Sequence, residues 1–448
     1  MVNISSLIID SKADFLTILN AFLNNFYNIT PIKINGSLQY ITRFLTELDD
    51  DVKFHFEYPY VDKVYRDTFY NYYSSKNNDY DRNSIRISVF KNSFESTDIF
   101  AKEKVTDNYL GFFTIRPTFP NILGRNLLKP NAFKNITNVL ICNSNYSVTF
   151  NSLKLNINVF PHSAQDGEAM TCAETTIWSL IEYFSNKYSE YRPLLPNKIH
   201  EILKELTVER QIPSKGLSAQ QISFALKKTG FGVKVYNKAA YGIEFDKILK
   251  TYINSGIPMV AIVNNSADIC HAFNIIGKTK PSETDILAIS STDLRGDGTL
   301  RVHDLNDADK EIVIIDDNCA PYRKGQISNP CNHYGIAEWN ACQLTEIIVP
   351  LYSKIYMDAG QAKKISNTYI RLCNFAYNNR DIYIKTFLCS SRSYKDYIFD
   401  LPDMDIELKK ILLSFSMPKF IWVTEIYDST KVVDNRVEGL LLVDATEP

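Results

Sequence analysis

The chain has 448 residues, 45% of them hydrophobic and 22% charged, with a formal net charge of −2. That is an ordinary globular balance, long enough for two or three domains, and it excludes a disordered or fibrous polymer. The near-neutral charge predicts no nucleic-acid and no acidic-membrane partner, and no stretch approaches the roughly 18 apolar residues that mark a membrane span.

The first twelve residues lack a basic start followed by an apolar core, so no signal peptide is expected. A helix is predicted over 13–27, followed by a tyrosine-rich region, 58–80, in which 65–73 reads as a helix that packs aromatics on a core. Strands are predicted at 85–90 and 109–117, and 123–130 reads as a connection bounded by Gly124 and Pro130. Segments 137–142 and 146–160 alternate apolar and polar residues like the arms of a hairpin. The hairpin leads without a linker into 163–170, read as an exposed polar loop that carries Gln165.

From Cys172 to Tyr188, apolar residues at 173, 177, 180, 181, 184 and 188 mark one face of a helix that begins at the cysteine. A thiol there meets unsatisfied N–H groups and the positive end of the helix dipole, which favour the thiolate and can lower a cysteine pKa from about 8.5 into the range of roughly 3.5 to 7.5. A further helix follows Gly216, and Gly256-Ile257-Pro258 separates a helical run from a strand at 259–263. His271 opens the strand 272–276, which ends at Gly277. A strand at 311–315 runs into Asp316-Asp317-Asn318. Residues 291–298 lack the ligand alternation of a calcium loop and read as a turn between two strands. Beyond 344, a helix is predicted over 359–377 and strands at 381–388, 419–426 and 437–444, with Trp339 and Trp422 as core or domain-contact residues.

A thiol, an imidazole and a carboxylate thus succeed one another in chain order, each at the end of a regular element, which is the arrangement a nucleophile, its base and the base's orienter require. Eight cysteines without regular spacing fit reduced thiols in a cytoplasm better than a disulfide framework. Neither Cys270 with His271 nor Cys319, Cys331, His333 and Cys342 shows paired Cys-x-x-Cys knuckles, so no metal is expected, and no organic cofactor. The abundance of Asn, Lys, Ile and Tyr suggests an AT-rich coding genome and a bacterial source.

These features resemble the papain-like cysteine peptidases, and within them the branch of bacteriocin leader-processing (double-glycine) peptidases. The resemblance rests on Gln165 and Cys172 at the helix start, the helix from Gly216 to Gly230-Phe231, the Gly256-Ile257-Pro258 turn, the His271-Ala272 strand and an aspartate after a strand. It spans about residues 160–325. It implies that Cys172 attacks a carbonyl, that His271 accepts its proton and returns it to the leaving group, that an aspartate orients His271, and that Gln165 donates to the oxyanion. Gln165 lies seven positions before Cys172, one more than is usual in papain relatives, so the loop must bulge or the donor must come from elsewhere. Where the family has Asp-Pro, this chain has Asp316-Asp317-Asn318. If Asn318 takes the proline's place, Asp317 is the third member, with Asp316 as the alternative, and strand alternation places the two on opposite faces.

The expected fold is α+β: a papain-like catalytic domain over 159–345, an N-terminal α+β region over 1–158 packed on it, and a C-terminal extension over 346–448. The expected function is hydrolysis of a peptide or isopeptide bond in a protein or peptide substrate through a thioester. A transglutaminase-like acyl transferase and a catalytically silent papain-fold binding module are the alternatives.

Overall fold

The structure, a computed structural model, describes residues 5–9, 12–28, 35–77, 80–118, 121–134, 136–206, 212, 216–265, 269–373, 380–402, 404–430, 432–434 and 436–447. It is an α+β protein, with helices laid on sheets whose strand pairs are antiparallel but for one.

The first sheet begins with β1 (Ser5–Ile9), β2 (Lys53–Tyr60), β3 (Ser84–Phe90), β4 (Tyr109–Ile115) and β5 (Leu123–Leu128), paired in that order. Every residue of β3, β4 and β5 is buried, so these strands do not alternate between core and solvent. Both faces are covered. On one, Phe15 of the helix Lys12–Tyr27 packs on Phe54, Phe56 and Phe113. On the other lies an aromatic cluster of Phe90, Phe112, Tyr146 and Phe150. The segment expected as a connection, 123–130, is therefore strand β5, with Gly124 lying against Thr114 of the neighbouring strand where a Cβ would collide. A glycine inside a strand marks such a close approach as often as a turn.

The next three strands correct the expected hairpin. β6 (Val139–Ile141) does not pair with its sequence neighbour; β7 (Ser144–Phe150) pairs with β8 (Leu153–Val159). Asn151 and Ser152 turn the chain with φ of 43° and 69°, the left-handed pair that a two-residue hairpin loop favours. β6 instead pairs with a strand of the central sheet, and β9 (His162–Ser163) returns to pair with β5. The tyrosine-rich segment forms the helix Lys63–Asn71, capped by the Asp62 side chain. Its Tyr65, with Tyr73, is buried beside Ala169 of the loop preceding Cys172.

The central sheet contains β10 (Phe231–Asn237), β11 (Met259–Asn264) and β12 (Cys270–Thr279), and, after the hairpin β13 (Ser291–Asp293) and β14 (Leu300–Asp304), β15 (Glu311–Ile315), β16 (Arg323–Gln326) and β17 (Gln343–Tyr352). Its spatial order is β10-β17-β11-β12-β15-β16. Period-two alternation sorts its side chains cleanly. Val260, Ile262, Ala272, Ile276, Val313 and Ile315 share one core with the helix Cys172–Lys187. Met259, Ala261, Phe273, Ile275, Ile312 and Ile314 share another with the helix Glu244–Asn254.

The C-terminal sheet joins β13 and β14 to β18 (Arg380–Ser390), β19 (Phe420–Asp428) and β20 (Gly439–Asp444), with β14 and β18 parallel. The helix predicted to 377 spans Ala359–Leu372, and 374–377 lie outside the described residues. Trp422 is fully buried and donates to Met357 O at 3.1 Å, a core residue as expected. Sheet pairing runs across the expected divisions at 158/159 and 345/346, because β6 serves the central sheet, β9 the first and β14 the last. No helix among the described residues is long and apolar enough to cross a membrane.

Candidate active site

The helix Cys172–Lys187 begins at the cysteine after Thr171, its N-cap. Thr171 Oγ1 donates to Glu174 Oε2 inside the first turn. The helix is fastened to β12 by polar groups as well as apolar ones. Thr176 Oγ1 donates to Ala272 O at 3.1 Å, and Asn274 Nδ2 donates to Thr176 O at 3.0 Å and Ser179 Oγ at 2.7 Å. Because His271 sits on the same strand, this clamp fixes the spacing between thiol and imidazole.

The segment before the helix is ordered by one carboxylate. Asp166, fully buried, accepts from the backbone N–H groups of Glu168, Ala169 and Met170 at 2.9, 2.8 and 2.9 Å. Gly167 supplies a φ of 78° within this turn, a conformation that favours glycine. The seven-residue step from Gln165 to Cys172 is taken up here. The loop is half-buried to buried at most positions, not the exposed segment its polarity predicts. Gln165 Nε2 donates to Asn318 Oδ1 at 2.5 Å, so one amide N–H is committed to the strand-end loop and the second is available to another acceptor.

His271, 4% exposed, donates from Nε2 to Asp316 Oδ1 at 2.9 Å, which leaves Nδ1 for the Cys172 thiol, whose interaction with the ring helps raise its pKa. Asp317 Oδ1 lies 3.7 Å from the same Nε2. The carboxylate in direct contact is therefore Asp316 and not Asp317, the reverse of the order expected from the position of Asn318. The reason is face parity. Ile312 and Ile314 share a core with Phe273 and Ile275, and Asp316 and His271 continue those two rows.

Asp316 is fully buried and well supplied with donors: His271, Tyr334 OH at 2.7 Å and the Asn318 N–H at 3.0 Å. Burial alone would raise its pKa, but the charge and hydrogen bond of His271, followed by His333, hold it well below the usual carboxylate range. For His271 burial opposes the charged ring, while Asp316, the Cys172 contact and Asp317 outweigh it and set the pKa well above its ordinary value. Asp317 goes the other way. Burial, with the charges of Asp316 and Glu174 and against the pull of His271, pushes it up to about 8, and neither of its oxygens has a hydrogen-bond partner among the described residues. The two adjacent carboxyls thus differ in charge at neutral pH, and one net negative charge faces the imidazole.

Four further residues complete the surroundings. Trp339 presents its ring to His271 edge-on at 5.3 Å and stacks on Tyr334 at 3.9 Å, so it covers the imidazole as well as filling space. His162, fully buried, donates from Nε2 to the Asp316 carbonyl at 3.0 Å and accepts from Asn126 Nδ2 on its other nitrogen. Burial pushes its pKa down to about 4, which keeps that tautomer neutral. Tyr40 OH donates to the carbonyls of Asp317 and Cys319 at 3.2 and 3.1 Å. The sequence signal for these residues is weak. His162 and Trp339 are isolated, and only the crowding of His333, Tyr334 and Trp339 after the aspartates marks the segment. Asn237, Ala239, Asn264, Gln343, Leu344 and Thr345 are among the residues that line an open cleft of about 440 Å³ at the end of the sheet where Asn264 pairs with Cys270.

No protein-family model and no curated protein matches the chain.

Proposed function

We propose that the protein is a papain-like cysteine hydrolase that cleaves a peptide or isopeptide bond through Cys172, His271 and Asp316. The observation that carries this reading is the position of His271, bonded to a buried carboxylate through Nε2 while the thiol at a helix start acts on its ring. With Nε2–H held by Asp316, Nδ1 is the basic nitrogen that faces sulfur. With its pKa raised well above the ordinary value, His271 holds on Nδ1 the proton drawn from Cys172 while the thiolate attacks the carbonyl carbon, then delivers that proton to the departing amine. The resulting thioester is opened by water, which gives a proton to His271 as it adds, and the proton returns to sulfur when the thiolate leaves.

Two groups are suited to the tetrahedral oxyanion: the Cys172 backbone N–H, which has no intrahelical acceptor at the helix start, and the second N–H of Gln165. Eight free thiols suit a reducing compartment, the setting a thiol nucleophile needs.

The test is iodoacetamide labelling at neutral pH, followed by turnover of a peptide library. Cys172 is expected to react stoichiometrically and ahead of the other seven cysteines. Cys172→Ala and His271→Ala are each expected to abolish product formation while circular dichroism stays that of the parent. Near-parent turnover in His271→Ala overturns the assignment. Adding hydroxylamine separates hydrolase from acyl transferase, since a transferase releases hydroxamate in preference to acid.

A further inference from the structure

We propose that Asp316, Cys319 and His333 form a binding site for a thiophilic divalent cation of the zinc class, sharing its carboxylate with His271. The ligand atoms of these three residues all lie within 4.8 Å of one another. The set is one carboxylate, one thiol and one imidazole, a combination that selects zinc-like ions over magnesium or calcium. Three protein ligands leave a fourth position open for water or another donor.

The second, independent observation is His333. Its side chain is 3% exposed, and neither ring nitrogen has a hydrogen-bond partner among the described residues. Nε2 stands 3.5 Å from Asp316 Oδ2, and the contact does not meet hydrogen-bond geometry. Two ligands at about 2.0–2.1 Å from one tetrahedral zinc sit roughly 3.4 Å apart. The spacing that is poor for a hydrogen bond therefore fits two ligands of one ion.

The remaining contacts are compatible with a bound cation. Asp316 Oδ1 is taken by His271 and Asn318 N–H, which leaves Oδ2, already oriented by Tyr334 OH, to face the ion. Such outer donors commonly fix ligating carboxylates. Burial and the charge of Asp316 push the Cys319 thiol well above its ordinary pKa. A cation reverses that electrostatic balance and lets the thiol ionise. Arg323, the basic group that acts on Cys319, is already ion-paired with Glu47. The compact ligand pair absent from the cysteine spacing is present as Asp316-x-x-Cys319.

Binding does not depend on the proposed peptidase chemistry, but its consequence does. An ion on Oδ2 withdraws negative charge from the carboxylate that stabilises the His271 cation, so an occupied site slows turnover. The experiment uses the full-length Cys172→Ala protein, which removes the nucleophile as a competing ligand. Reduced protein is titrated with Co²⁺ and then Zn²⁺. One equivalent of Co²⁺ is expected to give a thiolate-to-cobalt charge-transfer band and four-coordinate d–d bands, displaced by Zn²⁺. Cys319→Ser in the same background is expected to lose the charge-transfer band, and His333→Gln to weaken binding 10- to 100-fold. Should Cys319→Ser not fold, the Zn²⁺-induced rise in Tm is read instead, at a Zn²⁺ concentration near the parent midpoint, where His333→Gln must reduce it. A band that persists in Cys319→Ser, or a Tm shift undiminished in His333→Gln, overturns the site. With the Cys172 enzyme, Zn²⁺ inhibition at least tenfold weaker in His333→Gln supports the link to the triad, and unchanged inhibition overturns that link. A failure of the peptidase reading leaves the cobalt result standing.

Discussion

At the scale of single residues, the two adjacent aspartates have different tasks. Asp316 accepts Nε2–H of His271 and so keeps Nδ1 basic. In Asp316→Asn the carboxamide can present an N–H to that nitrogen and drive the proton onto the side facing sulfur. The turnover number is expected to fall by roughly 10³- to 10⁴-fold with little change in KM. Asp317 is uncharged at neutral pH, its carboxyl pushed up to about 8. A carboxyl whose folded pKa exceeds its unfolded value near 3.9 supports the fold fully below the unfolded value, and loses that support as pH rises towards the folded one. Parent stability is thus expected to decline from about pH 4 to pH 8 on account of this group. Asp317→Asn, which cannot ionise, is expected to show a higher Tm than the parent at pH 8–9 and a smaller difference at pH 5, measured by scanning calorimetry. An unchanged gap across that range would remove Asp317 from the account. Cys172 and His271 were legible in the sequence because each begins an element with a clear apolar pattern. The choice between the aspartates was also within reach, since the register of β12 against β15 puts Asp316 in the row of Ile312 and Ile314. An analogy of position with a missing proline pointed to its neighbour instead.

At the scale of elements, the clamp between the nucleophile's helix and β12 sets the geometry that the chemistry needs. Asn274 is fully buried and bonds the helix at Thr176 and Ser179. Asn274→Ala removes both bonds and leaves Ser179 Oγ without its donor, while Thr176 O keeps the Ser179 hydroxyl, a cost of roughly 1–3 kcal/mol. A lower urea midpoint with unchanged m-value is expected, together with a loss of turnover larger than substrate binding explains. Most central strands and helices could be read from periodicity, because each has one face towards one of two cores. In the first sheet β3 and β4 could be read as well, as bounded runs of β-branched and aromatic residues, but β5 could not. Gly124 and Pro130 hid β5, because a glycine set by close approach of the next strand reads locally as a loop boundary. The break between β6 and β7 was missed because pairing with β12 is a long-range choice that no local signal encodes.

At the scale of the whole molecule, the first and central sheets exchange strands and meet at Asp316. His162 and Asn126 link the first sheet to the Asp316 backbone, and Tyr40 reaches the same turn from the helix Asn35–Glu47. One cooperative urea transition is expected, with tryptophan fluorescence and far-ultraviolet circular dichroism superimposed, and two resolved steps would show that the regions fold independently. The sheet order β10-β17-β11 also bears on how the chain is made. Synthesis proceeds from the N-terminus, so Cys172, His271 and Asp316 have all been added before β17, the strand that fills the gap between β10 and β11. A nascent chain that stops before residue 343 holds every group of the triad on a sheet split into two parts, each with an open edge. Open edges recruit foreign strands. The sheet that carries the three residues is therefore completed only after translation has passed the last of them, and products terminated between 317 and 343 are expected in the aggregated fraction.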